Sequence, residues 1–249
     1  MNEWIIGKII KINYWTKNLF SLILHASIDN FIAGQFAKLS IKVNGRKIQR
    51  AYSYVNAPKN KNLEFYISKI VQGKLSPLLF KLSINDELMI SKKSYGFFIL
   101  KNIPLYCKDL WMLSTGTAIG PFLSMIEQGE DIKRFKNIVL VHAVSFLKDL
   151  NYFNKMIELK NKYNNILKIQ TIISREKIKN SLHGRIPLLI SNGKLEKSIG
   201  LEINPLKSHI MLCGNPNMVS DTQKILKKYK NMNKNLKKKP GHITSENYW

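Results

Sequence analysis

The feature that most constrains this chain is a change, near residue 101, in the period of its apolar residues. Before that point the runs are short. Leu63-Glu64-Phe65-Tyr66-Ile67 alternates apolar with polar, and Phe20-Ser21-Leu22-Ile23-Leu24-His25 is apolar with polar interruptions. Alternation of this kind puts one face of a strand on a core and the other in water. Glu87-Leu88-Met89-Ile90 and Gly96-Phe97-Phe98-Ile99-Leu100 extend the series, and Asn44-Gly45 and Asn85-Asp86 supply turns between strands. The spacing predicts an antiparallel barrel or sandwich. One helix is expected to start near Ser76-Pro77, with Ser76 as its cap and Pro77 in its first turn.

Beyond residue 101 the apolar runs are continuous: Leu110–Leu113, Asn137–Val141, Ile169–Ile173 and His209–Leu212. Strands buried on both faces read this way. Between them apolar residues recur at helical spacing, in Tyr152, Phe153, Met156, Ile157, Leu159 and again in Met218, Thr222, Ile225, Leu226, Tyr229. Strands alternating with helices predict a parallel sheet with crossovers. The expected organisation is therefore an antiparallel β domain over residues 1–101 and an α/β domain over residues 102–249.

Composition excludes several classes. In 249 residues, 45% are hydrophobic and 22% charged, the balance of a folded domain rather than a disordered chain. Neither a long apolar run nor a basic segment leading into an apolar core is present, so no membrane span and no secretory signal are expected. The cytoplasm is the expected compartment. Cys107 and Cys213 cannot build a disulfide framework, and their surroundings lack metal-ligand spacing. The net charge of +24 favours acidic partners. However, the 40 basic residues include arginine only at positions 46, 50, 134, 175 and 185, leaving 35 lysines scattered with Asn and Ile. Most of those lysines read as solvated residues under a coding bias. Arginine offers a planar fork that lysine cannot copy, so the five survivors draw attention.

Four motifs carry possible chemistry. Ser114-Thr115-Gly116-Thr117-Ala118-Ile119-Gly120-Pro121 follows a buried strand and precedes a helix, where backbone N–H groups can meet a phosphate. It is neither a P-loop nor a G-x-G-x-x-G turn, and a plain strand–helix connection remains open. Arg50-Ala51-Tyr52-Ser53 sets a cation, a ring and a hydroxyl along a strand; an ordinary edge strand is the alternative. Cys213-Gly214-Asn215-Pro216 ends the last buried strand, at the edge where open parallel sheets bind ligands, although buried cysteine is usually filler. Tyr248-Trp249 closes the chain with two rings that favour burial, either over a flat ligand or by simple packing.

In this order, and with Ala33-Gly34-Gln35-Phe36, Gly73-Lys74-Leu75-Ser76-Pro77 and Pro240-Gly241-His242 between them, these motifs resemble the ferredoxin–NADP⁺ reductase family over essentially the whole chain. The resemblance is greatest to its bacterial flavodoxin/ferredoxin branch. It implies a first domain that is a six-stranded antiparallel barrel holding FAD without a covalent bond, and a second, parallel-sheet domain binding NADP. Arg50 would grip the pyrophosphate, helped by the amides of Lys74, Leu75 and Ser76. Ala51, Tyr52, Ser53, Tyr66 and Thr117 would line the flavin, with Ser53 near the hydride-accepting nitrogen. Tyr248 would cover the flavin face that nicotinamide uses, with Trp249 near the adenine, and Cys213 would neighbour the nicotinamide.

For NADP the resemblance implies Val144, Ser145, Ser174, Arg175, Arg185, Asn215, Pro216, Asn217 and Asp221. Ser145 is a departure, because close relatives carry arginine there; Lys148 is the nearest substitute charge. NADPH would pass hydride to the flavin, which returns electrons singly to flavodoxin or ferredoxin. Those acidic carriers would be steered by basic residues such as Lys237-Lys238-Lys239. His142 is expected to be structural. A monomer with no nucleic-acid or membrane partner is expected. An NAD(P)H-dependent flavin reductase, or another small-acceptor reductase on the same two-domain plan, is the alternative. A nucleic-acid-binding protein would show clustered Arg and Lys with exposed aromatics or an RNA-binding motif, and these are absent.

Overall fold

The structure, a computed structural model, describes residues 3–248. The chain divides into two compact units. One runs to Ile99 and takes in Gly120–Gln128; the other comprises Leu100–Ile119 and the chain from Gly129 onward.

The first unit is built on β1 (Trp4–Tyr14), β2 (Leu19–His25), β3 (Phe36–Val43), β4 (Arg46–Ser53), β5 (Leu63–Ser68) and β6 (Glu87–Ser91). They form one antiparallel sheet in the order β4-β3-β6-β1-β2-β5. The sheet curls until its edges meet: Tyr54, just past β4, bridges Phe65 on β5, and the Val55 N–H donates to the Glu64 carbonyl at 2.9 Å. A register shift between Ile9 and Lys11 bends the long β1 and aids that curl. Phe20, Leu22, Leu24, Leu39, Phe65 and Ile90, from alternating strand positions, fill the interior.

Two expectations for this unit need correction. Gly96–Leu100 is not a strand. Tyr95 alone bridges Phe36, Gly96 sits at φ 116°, and Phe98 turns into the core against Phe122 with ring centroids 5.5 Å apart. The helix α1 (Ser76–Phe80) has Pro77 in its first turn as expected, but Ser76 is not its cap. Leu75 stands at the cap position, and the Ser76 hydroxyl accepts the Ile70 N–H at 3.0 Å instead.

The second unit carries β7 (Asp109–Thr115), β8 (Asn137–Val144), β9 (Leu167–Ile173), β10 (Leu182–His183), β11 (Ser208–Gly214) and β12 (Ile243–Asn247). All neighbours are parallel, in the order β10-β9-β8-β7-β11-β12. Every residue of β11 is buried, and β7 is buried up to Ser114. That explains why these strands read as unbroken apolar runs. The helix α2 (Gly120–Gln128) follows β7 in sequence yet packs within the first unit. There the Ser124 hydroxyl donates to the Asn56 carbonyl at 2.7 Å, and Glu127 accepts the Ala57 N–H at 3.2 Å. Around the parallel sheet lie α3 (Phe153–Tyr163), α4 (Ile186–Ser191), α5 (Lys194–Ile199) and α6 (Pro216–Lys230). The last has Pro216 in its first turn and Lys227, Lys228 and Lys230 in its last. Among the described residues, no helix is long and apolar enough to cross a membrane.

Candidate functional site

In the first unit the residues of interest lie on β4 and on the turn before α1. Strand β4 is an edge of the sheet and is mostly exposed along its length, ending in the half-buried Tyr52 and the buried Ser53. Arg50 stands opposite Leu39 and Tyr52 opposite Ala37, so both project from the face opposite to that of Ala51 and Ser53. Among the described residues, the exposed Arg50 guanidinium donates only to the neighbouring Gln49 carbonyl, at 2.7 Å. Burial pushes the Tyr52 phenol up to about 12, against the opposing pull of the Arg50 charge. Tyr66 and Ser53 are both buried.

The turn at 70–76 is closed by two bonds onto Ile70: its N–H donates to Ser76 Oγ, and its carbonyl accepts the Gly73 N–H at 2.8 Å. A Cβ on Gly73 would meet the Ile70 carbonyl at 2.9 Å and Ser76 Oγ at 3.1 Å. The chain therefore approaches itself where only glycine fits. The N–H groups of Lys74, Leu75 and Ser76 make no backbone hydrogen bond among the described residues. A run of unspent donors of this kind suits a pyrophosphate.

In the second unit the functional positions come from strand ends. Ile173 on β9 is level with Val144 on β8 and His183 on β10. Ser145, Arg175 and Arg185 thus follow one, two and two residues past the ends of neighbouring strands, along one carboxyl edge. The Arg175 N–H donates to the Ser145 carbonyl at 3.0 Å, and Ser174 N–H to the Val144 carbonyl, also at 3.0 Å. Arg175 and Arg185 are both exposed. Neither pairs with a carboxylate among the described residues. The sheet order reverses between β7 and β11, on either side of which the connections run opposite ways, so a crevice is expected at their carboxyl ends.

That crevice is defined by Thr115 and Gly214. Thr115 Oγ1 accepts the Asn215 N–H at 2.9 Å. Gly214 sits at φ 134°, and a Cβ there would collide with the same hydroxyl. Asn215 caps α6, its Oδ1 accepting from Asn217 N–H at 2.9 Å and Met218 N–H at 3.2 Å. Its side chain is thus spent within the protein, which sequence reading did not foresee. Asp221 is exposed and pairs with Lys224 at 3.7 Å. Cys213 is buried, and burial pushes its thiol well up; the nearby Glu246 pushes the same way, and a hydrogen bond with the Tyr248 side chain opposes both. Strand β12 makes that contact possible, pairing with β11 until the Tyr248 N–H donates to the Gly214 carbonyl at 2.9 Å. Trp249 lies outside the described residues.

Gly116–Ile119 is wound into a 3₁₀ turn with Thr117, Ala118 and Ile119 buried. His142 holds it from below, its Nε2 donating to the Gly116 carbonyl at 2.9 Å while Nδ1 has no partner. Burial lowers the ring to about 4, so it is neutral and donates through Nε2. Thr115 and His142 were legible as residues of a buried strand, but nothing in their spacing marked them as supports of the two turns.

Two family models match the chain: the oxidoreductase FAD-binding domain over residues 10–97 and the oxidoreductase NAD-binding domain over residues 112–224. Among curated proteins, the flavodoxin/ferredoxin–NADP reductase of Buchnera aphidicola from Schizaphis graminum is 55% identical, with 100% of both chains covered. That of Escherichia coli K12 is 51% identical over 100% of both. Among solved structures, a ferredoxin NADP⁺ reductase from Neisseria gonorrhoeae with bound FAD and NADP superposes with a TM-score of 0.93. It shares 32% identity over 99% of each chain.

Proposed function

The chain belongs to the flavodoxin/ferredoxin–NADP reductase family, and from that premise we propose that it moves electrons between NADP(H) and flavodoxin or ferredoxin through non-covalently held FAD. One observation carries this reading: each unit presents an anion-binding set that has no carboxylate paired to it among the described residues. In the first it is Arg50 with the amides of Lys74, Leu75 and Ser76. In the second it is Arg175 and Arg185, each two residues past the end of neighbouring parallel strands. Bound FAD supplies the exchange between hydride and single electrons.

The protein's share is to hold and orient. Arg50 and the 74–76 amides take the pyrophosphate, while Tyr52 and Tyr66 offer rings, Ser53 an aliphatic hydroxyl and Ala51 a small side chain to a ring system. Arg175 and Arg185 take the 2′-phosphate of NADP, with Val144 and Ser174 at the same edge. The Gly214 turn lets a nicotinamide approach the backbone beside Cys213. Tyr248 already contacts that cysteine, so its ring yields when the nicotinamide enters. Asn215, Pro216, Asn217 and Asp221 border the nucleotide, Asn215 through the helix start that it caps. Every one of these tasks is positional, and none asks for a protein nucleophile or general base. Thr117 serves through its place in the buried turn after β7.

Ser145 brings no charge to the edge where Arg175 and Arg185 stand. Lys148 can bring a charge but not arginine's fork, so part of a charge-assisted phosphate contact of about 1.5–3 kcal/mol is missing. NADPH is expected to remain preferred over NADH by a narrowed margin, and equal kcat/KM for the two would contradict this. The test of the whole reading is the absorbance spectrum of the purified protein before and after anaerobic NADPH. A yellow protein that bleaches is expected. A yellow protein that NADPH cannot reduce refutes the NADP assignment, and a colourless protein that fails to take up added FAD refutes the function.

A further inference from the structure

Phe146, half-buried just past Ser145, is flanked by two cations. Lys148 Nζ lies 5.4 Å and Arg175 Cζ 5.5 Å from the centroid of its ring. An aromatic quadrupole attracts both. The nearby acids are spent on the backbone: Asp149 Oδ2 accepts the Phe146 N–H at 3.2 Å, and Glu176 Oε2 accepts the Leu147 N–H at 2.7 Å. Neither Lys148 nor Arg175 has an ion pair among the described residues. The Asp149 N–H donates back to the Phe146 carbonyl at 3.0 Å, so the loop is closed on itself before any ligand arrives. Two positive heads thus share one ring with no carboxylate paired to either. A dianion within reach of both would be attracted by two charges that the ring already holds, at little ordering cost.

Resting on the reading that NADP(H) is the nucleotide, we propose that Phe146 is a positioning residue that holds Lys148 and Arg175 as a two-cation clip for the ribose 2′-phosphate. Lys148 supplies the discriminating charge that Ser145 does not. Lysine is a point charge without arginine's fork, so the ring, rather than bidentate geometry, fixes where that charge stands.

The test is calorimetric titration of the intact protein with 2′,5′-ADP and with 5′-AMP, which differ by the 2′-phosphate. The readout is the ratio of the two affinities. Wild type should favour 2′,5′-ADP, and Lys148→Gln should lower the ratio about 5- to 10-fold. Phe146→Leu should lower it similarly, Phe146→Tyr should keep it, and the double variant should lose less than the two single losses combined. A ratio unchanged in Lys148→Gln, with wild type still discriminating, overturns the clip alone. A ratio lost in Phe146→Tyr as in Phe146→Leu overturns the positioning role of the ring. If wild type binds both ligands equally, the NADP reading falls and the clip with it. Lys148 is exposed, so its variant reads the clip even if a Phe146 variant fails to fold.

Discussion

Strands β4 and β11 both end in a functional turn, and they are built in opposite ways. β4 is an edge strand, exposed for most of its length, and among the described residues its Arg50 guanidinium donates to the neighbouring Gln49 carbonyl. Strand β11 is buried at every residue, and its end is locked by Thr115, by Gly214 at positive φ and by the cap on α6. The first offers an exposed cation to a ligand. The second satisfies its own groups and offers shape. Damage to the two should therefore differ in kind: ligand loss with a stable fold at β4, and loss of stability around β11.

The largest contrast is expected from acid. His142 is lowered to about 4 and His209 to about 3, both chiefly by burial, from an ordinary value of 6.5. As pH falls below 6.5 the unfolded chain takes up these protons first, so stability is intact above 6.5 and drains away toward pH 4 and below. For His142 alone the loss amounts to about 3 kcal/mol. Hydrogen exchange as a function of pH should show the second unit opening before the first; simultaneous opening would erase the contrast.

Next comes Gly214→Ala. The strained φ and the collision with the Thr115 hydroxyl should cost about 3 kcal/mol, read as a lower urea midpoint. Arg50→Gln should do the reverse. It leaves the midpoint nearly unchanged but weakens FAD retention by about 10- to 100-fold, measured by flavin fluorescence after dialysis. An Arg50 variant that unfolds while keeping its flavin would invert the comparison. The smallest effect belongs to Lys237, Lys238 and Lys239. They lie in an ordered turn closed by Leu236 and Lys239, each donating its N–H to the other's carbonyl at 2.9 and 3.0 Å. Changing all three to Gln should raise the KM for an acidic carrier about 2- to 5-fold at low salt and leave NADPH–ferricyanide turnover alone. An unchanged carrier KM would remove this turn from the docking surface.

The period change near residue 101 was readable because each sheet type stamps its own burial pattern on sequence. Phe20–His25 is interrupted by polar residues because its strand ends in solvent at His25, and Leu110–Leu113 is unbroken because that strand is buried on both faces. Where a backbone conformation overrides apolarity, the pattern misled. Gly96–Leu100 has the composition of a strand, but the φ of Gly96 and the burial of Phe98 make it a turn. Ser76 has the identity of a cap, but its hydroxyl serves the Ile70 N–H. The helix after Gly116–Gly120 joins the first unit because its apolar face and Ser124 find partners there, a matter of long-range contact that local spacing cannot encode.

The sequence by itself determined the two sheet types, the order of the motifs and the arginines that survive its lysine bias, since all of these are local properties of residue type and period. Only the tertiary structure decided which of those groups are spent and which remain available. Asn215 is consumed by its helix and Glu176 and Asp149 by backbone amides, whereas Arg175 and Lys148 pack on one aromatic ring with no ion pair among the described residues. Availability depends on which partners the fold brings within about 3 Å, and a hydrogen bond forms or fails on that distance.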